Sequence, residues 1–219
     1  MARILYVGTK NASSWALRAW LALREQGIAF EERMVDIRQP LRAGELAKVG
    51  AFSPPAAVPV LVDDGLVVFD SLAIMEYASE LGERPLLPAD IRRRARARSL
   101  LAWVHAGLSG LCGRLSFESS FYPERRAMTA TEQREAARIV AACDAELAQG
   151  GPWLAGELSL ADLAFVPVMR RLQAHAVDTS AHPRVADWMQ RLMARPAVAE
   201  WMSEAQALPP VWLEDYRDG

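Results

Sequence analysis

The chain has 219 residues, which is long enough for two modest domains or one large domain. Hydrophobic residues make up 52% of the sequence and charged residues 24%, as is typical of a soluble globular protein. The net charge of −2 gives no electrostatic reason to expect a nucleic acid or an acidic membrane as a partner. No apolar run approaches the ~20 residues that a bilayer-crossing helix needs, so no membrane segment is predicted.

The cysteines and histidines indicate a reducing compartment and no metal site. Cys112 and Cys143 lie in helical patterns without any Cys-x-x-Cys spacing, which predicts buried free thiols. His105, His175 and His182 lack the spacing of metal ligands. The first residues run into a strand pattern that is too short for a signal-peptide core. We therefore expect a cytoplasmic protein without a metal.

The first part of the chain alternates strand and helix patterns. Apolar and β-branched runs indicate strands, and apolar residues at helical spacing indicate helices. A polar loop separates the first strand from the first helix. The predicted order is a strand at 4–7, the loop at 8–14, a helix at 15–26, a strand at 30–37 and a weak helix at 42–49.

Residues 56–77 combine a strand that begins at a proline, a hairpin turn, a returning strand and a helix. Pro59 suits the start of a strand, because proline cannot donate a hydrogen bond to the ladder. An Asp-Gly pair between two β-branched runs is a strong hairpin signal. Asp70 and Ser71 precede a periodic apolar run, as helix-start residues do. The pattern predicts strands at 58–62 and 66–69 and a helix at 72–79.

This order of elements predicts the fold of the first half. Strand, helix, strand, helix, hairpin and helix together give a thioredoxin-like layout, which is a mixed four-stranded sheet with helices on both faces. Residues 81–90 hold a glycine and two prolines and are typical of a linker. We therefore predict an α/β thioredoxin-like N-terminal domain over residues 1–80.

The remaining residues, 91–219, predict an all-α helical-bundle C-terminal domain. The Ser159-x-x-Asp162 spacing is a variant of the capping box, and the helix it starts is apolar almost all round and should be central. Thr131 is the expected cap of the second long helix. Helices are predicted at 91–117, 131–149, 160–174, 183–195 and 196–206, before a tail at 207–219 in which Trp212 and Tyr216 lie back over the body.

The proline-led strand, the hairpin and the acid-hydroxyl pair of residues 56–77 resemble the glutathione-binding half of the glutathione S-transferase family. In the second half, the box at Ser159 and Asp162, after a Trp-Leu-x-Gly loop, resembles the buried capping box of the family's helical domain. The Ser-Ser-Trp-x-x-Arg run of residues 13–18 is most similar to zeta-like and related bacterial members. The resemblance covers roughly residues 3–202.

The resemblance implies how glutathione binds. It implies that Pro59 is cis and that the backbone of Val58 contacts the cysteinyl part of glutathione. It also implies that Asp70 faces the α-ammonium of the γ-glutamyl end and that Ser71 donates to its carboxylate. A helix N-terminus favours a carboxylate through its free N–H groups and its dipole. Glutathione is the expected co-substrate, and no metal or redox cofactor is implied.

A transferase must favour the thiolate of glutathione, since a free thiol of this type has a pKa of about 8.5. One hydrogen bond to a charged group, worth roughly 1.5–3 kcal/mol, is strong enough to lower that pKa. The candidates for its donor are Asn11, Ser13 and Ser14, in the loop before the first helix. Asn11 occupies the position where the zeta-like members carry a catalytic serine. We expect Asn11 and Ser14 to act together, with Ser13 in reserve; Ser14 is equally suited to be only an N-cap.

The resemblance places the electrophile in the cleft between the two domains. His105 and Arg171 are the candidates for its pocket, and an arginine in an otherwise apolar helix needs a carboxylate or a ligand. Relatives often place a basic or amide side chain just before the Val-Pro pair, whereas residues 56–57 are both alanine here. Lys48 or Arg38 would then have to meet the glycyl carboxylate of glutathione.

The resulting hypothesis is a glutathione S-transferase that activates the glutathione thiolate for attack on a small hydrophobic electrophile, by conjugation or peroxide reduction. One alternative is a glutathione- or hydrophobic-ligand-binding protein of the same fold without turnover. The other is a maleylacetoacetate-type cis-trans isomerase, against which Asn11-Ala12-Ser13 stands where that group has Ser-Ser-Cys. A homodimer and a role in detoxification are expected from the resemblance alone.

Overall fold

The computed structural model describes residues 3–216, with the exception of the Asp215 side chain. The chain divides into two compact units. The first comprises Met1–Pro85 and Glu200–Val211, and the second comprises Leu86–Ala199 and Trp212–Gly219. Within the described part of the chain, no helix has both the length and the apolar character that a membrane crossing requires.

The first unit is built on a four-stranded sheet. Its strands are β1 (Arg3–Gly8), β2 (Glu31–Val35), β3 (Val60–Asp63) and β4 (Leu66–Val68), in the order β2-β1-β3-β4. β1 runs parallel to β2 and antiparallel to β3, and β3 is antiparallel to β4. The predicted mixed thioredoxin-like sheet is therefore confirmed.

The hairpin between β3 and β4 follows from its two turn residues. Asp64 has a φ of 46° and Gly65 a φ of 90°. A tight turn with positive φ at both central residues matches the twist of the flanking strands, and aspartate and glycine tolerate that conformation best. This turn returns the chain into β4 and delivers it to the start of the third helix.

The helices of the first unit are α1 (Ser14–Glu25), α2 (Arg42–Gly50) and α3 (Ser71–Leu81). α1 packs against α3. The core beneath them includes Leu5, Leu17, Leu21, Leu61 and Ile74, all fully buried. The N-termini of α1 and α3 both carry the residues that the sequence marks as functional.

The second unit is helical. Its elements are α4 (Ile91–Ala102), a π-helical turn (Trp103–Gly107), α5 (Ser109–Arg114), a 3₁₀ turn (Glu118–Phe121), α6 (Ala130–Leu147), α7 (Leu160–Ala174), α8 (Pro183–Met193) and a short 3₁₀ turn (Glu214–Tyr216). α9 (Pro196–Ala207) begins in this unit, and its residues from Glu200 onward belong to the first unit.

α7 is the central helix of the second unit, as predicted. Its side chains are buried almost all round, including those of Phe165 and Val166. The Asp162 carboxylate accepts hydrogen bonds from the backbone N–H of Ser159 at 2.9 Å and from its hydroxyl at 2.7 Å. It also accepts from the Trp188 indole at 3.0 Å. The predicted capping box therefore joins α7 to α8 inside the core.

Two predictions about the helices are wrong. The single helix expected at 91–117 ends at Ala102, and the chain continues through the π-helical turn and α5. The cap of α6 is Thr129 and not Thr131, because Thr129 has extended backbone angles and accepts from the N–H of Glu132. Thr131 itself lies inside the first turn of that helix.

Candidate active site

The loop between β1 and α1 carries the three residues predicted to stabilise the thiolate. It contains a tight turn, in which the Ala12 N–H donates to the Thr9 carbonyl at 2.9 Å. The Thr9 hydroxyl accepts from the backbone N–H of Ile37, just after β2, at 3.2 Å. Hydrogen bonds within the first unit therefore fix the first half of this loop.

Ser13 and Ser14 occupy different positions at the start of α1. Ser13 is the N-cap, with a φ of −116° and a ψ of 78°, and its hydroxyl oxygen accepts from the Ala16 N–H at 3.4 Å. The alternative in which Ser14 is the N-cap is therefore wrong, since Ser14 is the first helical residue. Ser14 is 8% exposed, against 3% for Ser13. Its hydroxyl lies where the helix dipole favours negative charge.

Asn11 is almost completely buried, at 1% exposure. Its amide nitrogen Nδ2 donates to the backbone carbonyl of Pro209 at 2.9 Å. Its Oδ1 is buried without a hydrogen-bond partner among the described residues. Because a primary amide carries two N–H groups, one of them remains for a thiolate. Asn11 therefore contacts the C-terminal end of the first unit while it keeps one donor.

Sequence reasoning missed the residues that hold this loop. The Lys10 ammonium forms ion pairs with Glu32 at 2.9 Å and with Glu204 at 2.6 Å. The Trp201 indole donates to the backbone carbonyl of Lys10 at 3.1 Å. The one available signal was that Lys10 and Lys48 are the only lysines of the chain. That signal does not identify partners that lie 194 positions away along the chain.

Val58 and Pro59 lie immediately before β3. The peptide bond between them is cis, as the resemblance implies. Pro59 is buried, and the Val58 side chain packs against the core cluster that contains Val35 and Val60. Because the side chain of Val58 is committed to the core, its backbone is the part that is available to a ligand.

Asp70 and Ser71 form the start of α3. Asp70 is the N-cap, and its Oδ1 accepts from the Leu72 N–H at 2.9 Å. Ser71 is the first helical residue, is 1% exposed, and its hydroxyl has no hydrogen-bond partner among the described residues. A buried polar group normally has a partner, so a lone hydroxyl at a helix N-terminus fits a donor to a bound anion.

Lys48 and Arg38, the alternatives for the glycyl carboxylate, both hold protein carboxylates. The Lys48 ammonium pairs with Glu45 at 2.5 Å on the surface. The Arg38 guanidinium donates to both oxygens of Asp36, at 2.9 and 2.6 Å. These hydrogen bonds from Arg38 lower the pKa of Asp36 to about 2. Either cation would have to exchange its present partner for glutathione.

His105 lies in the second unit, within the π-helical turn that follows α4, and is half-buried. The neighbouring Trp103 packs edge-on against Phe165 of α7, with 6.0 Å between the ring centres. The turn thus carries a half-buried imidazole at His105, two residues after a tryptophan that contacts the Phe165 ring. Its assignment to an electrophile pocket stays a prediction.

Arg171 is buried on α7, at 5% exposure. Its guanidinium donates to the backbone carbonyls of Leu115 at 2.7 Å and Pro167 at 2.9 Å. Burial lowers the pKa of Arg171. The Arg171 guanidinium therefore donates to two backbone carbonyls, whereas the sequence led us to expect a carboxylate or a ligand as its partner. Its assignment to an electrophile pocket also stays a prediction.

Among residues 3–216, no group of three or more histidine, cysteine, aspartate or glutamate side chains is placed to hold a metal ion. The two cysteines are free. Cys143 is buried on α6, and this burial raises the pKa of its thiol, which makes it a poor nucleophile.

Comparison with known proteins identifies the family. The model of the glutathione S-transferase N-terminal domain matches residues 12–81, and that of the C-terminal domain matches residues 100–196. Mouse maleylacetoacetate isomerase is 28% identical over 192 residues, which are 87% of this chain and 88% of that protein. Mouse glutathione S-transferase theta-1 is 28% identical over 189 residues, which are 80% of this chain and 76% of that protein.

A solved structure agrees with these relatives. A glutathione transferase homologue from Burkholderia, strain BGR1, superposes with a TM-score of 0.72 at 26% identity, and the match covers 95% of this chain and all of that one. That structure contains bound glutathione. The chain therefore belongs to the glutathione S-transferase family, whose relatives named here are glutathione transferases and maleylacetoacetate isomerases.

Proposed function

We propose that this protein is a glutathione transferase: it binds glutathione in its first unit and activates the thiolate for attack on a small hydrophobic electrophile. One observation supports this most directly. The buried hydroxyl of Ser71 lacks a protein partner among the described residues, at the start of α3 and beside the carboxylate of Asp70. A donor next to an acid is the arrangement that the carboxylate and ammonium of a γ-glutamyl group require.

Each part of glutathione has a proposed partner in the first unit. Ser71 and the N–H groups at the start of α3 receive the γ-glutamyl carboxylate, and Asp70 receives its ammonium. The backbone of Val58, next to the cis bond to Pro59, receives the cysteinyl part. Glutathione is then a co-substrate, and the reaction uses no metal.

Asn11 and Ser14 are the proposed donors to the thiolate, with Ser13 in reserve. Ser14 is the most exposed of the three and stands at the positive end of α1. Asn11 keeps one N–H after it donates to Pro209. Each pKa unit by which the site lowers the thiol corresponds to about 1.4 kcal/mol of preference for the thiolate. Catalysis then consists of thiolate stabilisation and orientation.

The proposal also covers the electrophile pocket, the assembly, the biological role and the location of the protein. We propose His105 and Arg171 as members of the electrophile pocket in the second unit, a homodimer as the assembly, and detoxification as the role. A cytoplasmic location agrees with two free cysteines. The maleylacetoacetate-type isomerase is a second candidate, favoured by the mouse relative. Asn11-Ala12-Ser13, in place of the Ser-Ser-Cys of that group, argues for the transferase.

The first test is the thiolate absorbance of glutathione bound to the protein, titrated against pH. A pKa well below about 8.5, the value of a free thiol, is expected for a transferase. Binding with an ordinary pKa would favour a binding protein without turnover, and absence of binding would overturn the proposal. In the double variant Asn11→Ala/Ser14→Ala, turnover with an aryl halide should fall by more than about tenfold while glutathione still binds. Unchanged turnover would remove this assignment of donors.

A further inference from the structure

The end of the first unit, Glu200–Val211, contacts the loop before α1 through a buried charge. Lys10 is 6% exposed, and its ammonium lies between the carboxylates of Glu32 and Glu204. It also lies over the rings of Trp20 at 5.4 Å and Trp201 at 5.0 Å. A buried lysine needs such partners, because an unpaired ammonium away from water is strongly unfavourable. These partners leave Lys10 little freedom to move.

Two further bonds from the same segment reach the backbone and the next side chain of the loop. The Trp201 indole donates to the Lys10 carbonyl at 3.1 Å. The Pro209 carbonyl accepts from the Asn11 amide at 2.9 Å. The segment thus holds the Lys10 side chain, the Lys10 backbone and the Asn11 side chain through three separate groups. The bond from Trp201 to the Lys10 carbonyl is buried, the other two contacts are partly buried, and together the three restrict the arrangement of the loop.

The held residues, Lys10 and Asn11, include one proposed thiolate donor and lie just before the other two. Asn11 is one of those donors, Ser13 caps α1, and Ser14 is the first residue of that helix. A hydrogen bond to a thiolate weakens steeply when its donor shifts or tilts, and small displacements in an active site are costly. Local hydrogen bonds at Thr9 and the Glu32 carboxylate also hold this loop, and residues 200–211 add the contacts to the Lys10 ammonium, the Lys10 carbonyl and the Asn11 amide.

We propose that residues 201–209 are a positioning element of the thiolate site, which acts through Lys10 and Asn11 and does not touch glutathione. This inference rests on the proposed transferase function. Glu204, Trp201 and Pro209 are its positioning residues. Its expected effect is on the activation of the bound thiol and not on the affinity for glutathione, since the γ-glutamyl contacts lie at the start of α3.

The test compares two glutamate-to-glutamine changes on α9, one that faces the loop before α1 and one that faces α1 itself. Glu204→Gln removes one of the two carboxylate charges that face Lys10 and leaves that of Glu32 in place. Glu200→Gln removes the charge that faces Arg24, in an exposed ion pair that also joins α9 to α1 but leaves the loop untouched. We expect Glu204→Gln to raise the pKa of the bound thiol and to lower kcat/KM at neutral pH about three- to tenfold. Glutathione affinity should stay within about twofold, and Glu200→Gln should behave as wild type.

Trp201→Phe provides a second, independent variant. It keeps an aromatic ring near Lys10 and removes the N–H that donates to the Lys10 carbonyl. The same rise in thiol pKa is expected. The proposal is overturned if both Glu204→Gln and Trp201→Phe keep the wild-type thiol pKa, or if Glu200→Gln changes it equally. If the wild-type protein itself binds glutathione without lowering its thiol pKa, the proposed function fails, and the positioning role fails with it.

Discussion

At the start of α3, Asp70 accepts a hydrogen bond from the Leu72 N–H and so satisfies one of the donors that a helix start leaves unpaired. The same carboxylate is the proposed partner of the glutathione ammonium. Two substitutions separate these tasks. Asp70→Asn keeps a side chain that caps a helix about as well as aspartate but removes the charge, whereas Asp70→Ala removes both the cap and the charge.

We therefore expect Asp70→Asn to weaken glutathione binding about tenfold or more while the free energy of unfolding stays within about 0.5 kcal/mol of wild type. Asp70→Ala should weaken binding similarly and also cost about 1 kcal/mol of stability. Calorimetric titration and chemical denaturation measure the two quantities. Full affinity in Asp70→Asn would show that the charge does not meet the ligand.

A substitution at Ser71 should affect glutathione affinity without affecting stability, because its buried hydroxyl has no partner among the described residues. Ser71→Ala removes no hydrogen bond seen within the described chain, so stability should be unchanged or slightly higher. Glutathione affinity should fall about tenfold to 150-fold, which is the effect of one lost hydrogen bond to a charged group worth roughly 1.5–3 kcal/mol. Ser79→Ala, two turns further along α3 at another buried serine, should leave affinity unchanged. Lower stability without lower affinity in Ser71→Ala would assign the hydroxyl to the fold.

At the start of α6, a buried carboxylate is bound by a backbone N–H and a guanidinium. Glu132 is fully buried, accepts from the Thr129 N–H at 2.8 Å, and pairs with the Arg126 guanidinium at 2.7 Å. The hydrogen bonds from Arg126 lower the pKa of Glu132 to about 2. The unfolded chain therefore takes up this proton at a higher pH than the folded chain does. The contribution of Glu132 to stability is complete above pH 4.5 and is lost as the pH falls toward 2.

Glu132→Gln should accordingly cost roughly 2–4 kcal/mol at neutral pH, because it leaves the Arg126 charge without its partner. The variant should also lose less stability than wild type between pH 4.5 and 2. Glu135→Gln, one turn further on, breaks an exposed pair with Arg114 and should cost less than about 1 kcal/mol. Urea denaturation at several pH values measures both. Parallel pH profiles for wild type and Glu132→Gln would contradict the assigned pKa.

The elements that the sequence predicted correctly are those in which local pattern and fold agree. The Asp-Gly turn, the caps of α3 and α7, and the apolar α7 need no distant information. The break after α4 depends on a side-chain fit. A Cβ at Gly107 would lie 2.5 Å from the Trp103 ring, so glycine lets that ring lie over the turn. Thr129 and Glu132 have the Thr-x-x-Glu spacing of a capping box, so the cap of α6 also carries a local signal in the sequence.

At the scale of the whole molecule, the site divides into a local and a distant part. Val58, Pro59, Asp70 and Ser71 follow from one continuous stretch, so the sequence alone could propose them. Lys10 pairs with Glu32 of β2, and its other partners and the partner of Asn11 come from α9 and the residues after it. No periodicity or spacing encodes such a contact, because it arises only when the folded chain brings residues 200–211 to residue 10.

The residues after α9 lie partly in each unit, so two truncations can separate the contact with Asn11 from the contacts of the second unit. Residues up to Val211 belong to the first unit, where Pro209 meets Asn11. From Trp212 the chain belongs to the second unit, where Trp212 and Tyr216 contact Tyr122, as predicted for these two residues. Trp212 stacks on Tyr122 at 4.3 Å, and the Tyr216 hydroxyl lies 3.0 Å from Nε2 of His175.

Two truncations should therefore have different effects. Removal of residues 212–219 deletes the contacts of Trp212 and Tyr216 with Tyr122 and should lower the melting temperature by several degrees, since the buried Tyr216 ring and the packing of the half-exposed Trp212 ring are lost. It leaves Pro209 in place, so the pKa of the thiol of bound glutathione should be the same as in the wild-type protein. Removal of residues 208–219 also takes the carbonyl that fixes the Asn11 amide, and the thiol pKa should then rise. An equal rise in both truncations would mean that Pro209 has no separate part in holding the loop, and that the tail acts on the site only through overall stability.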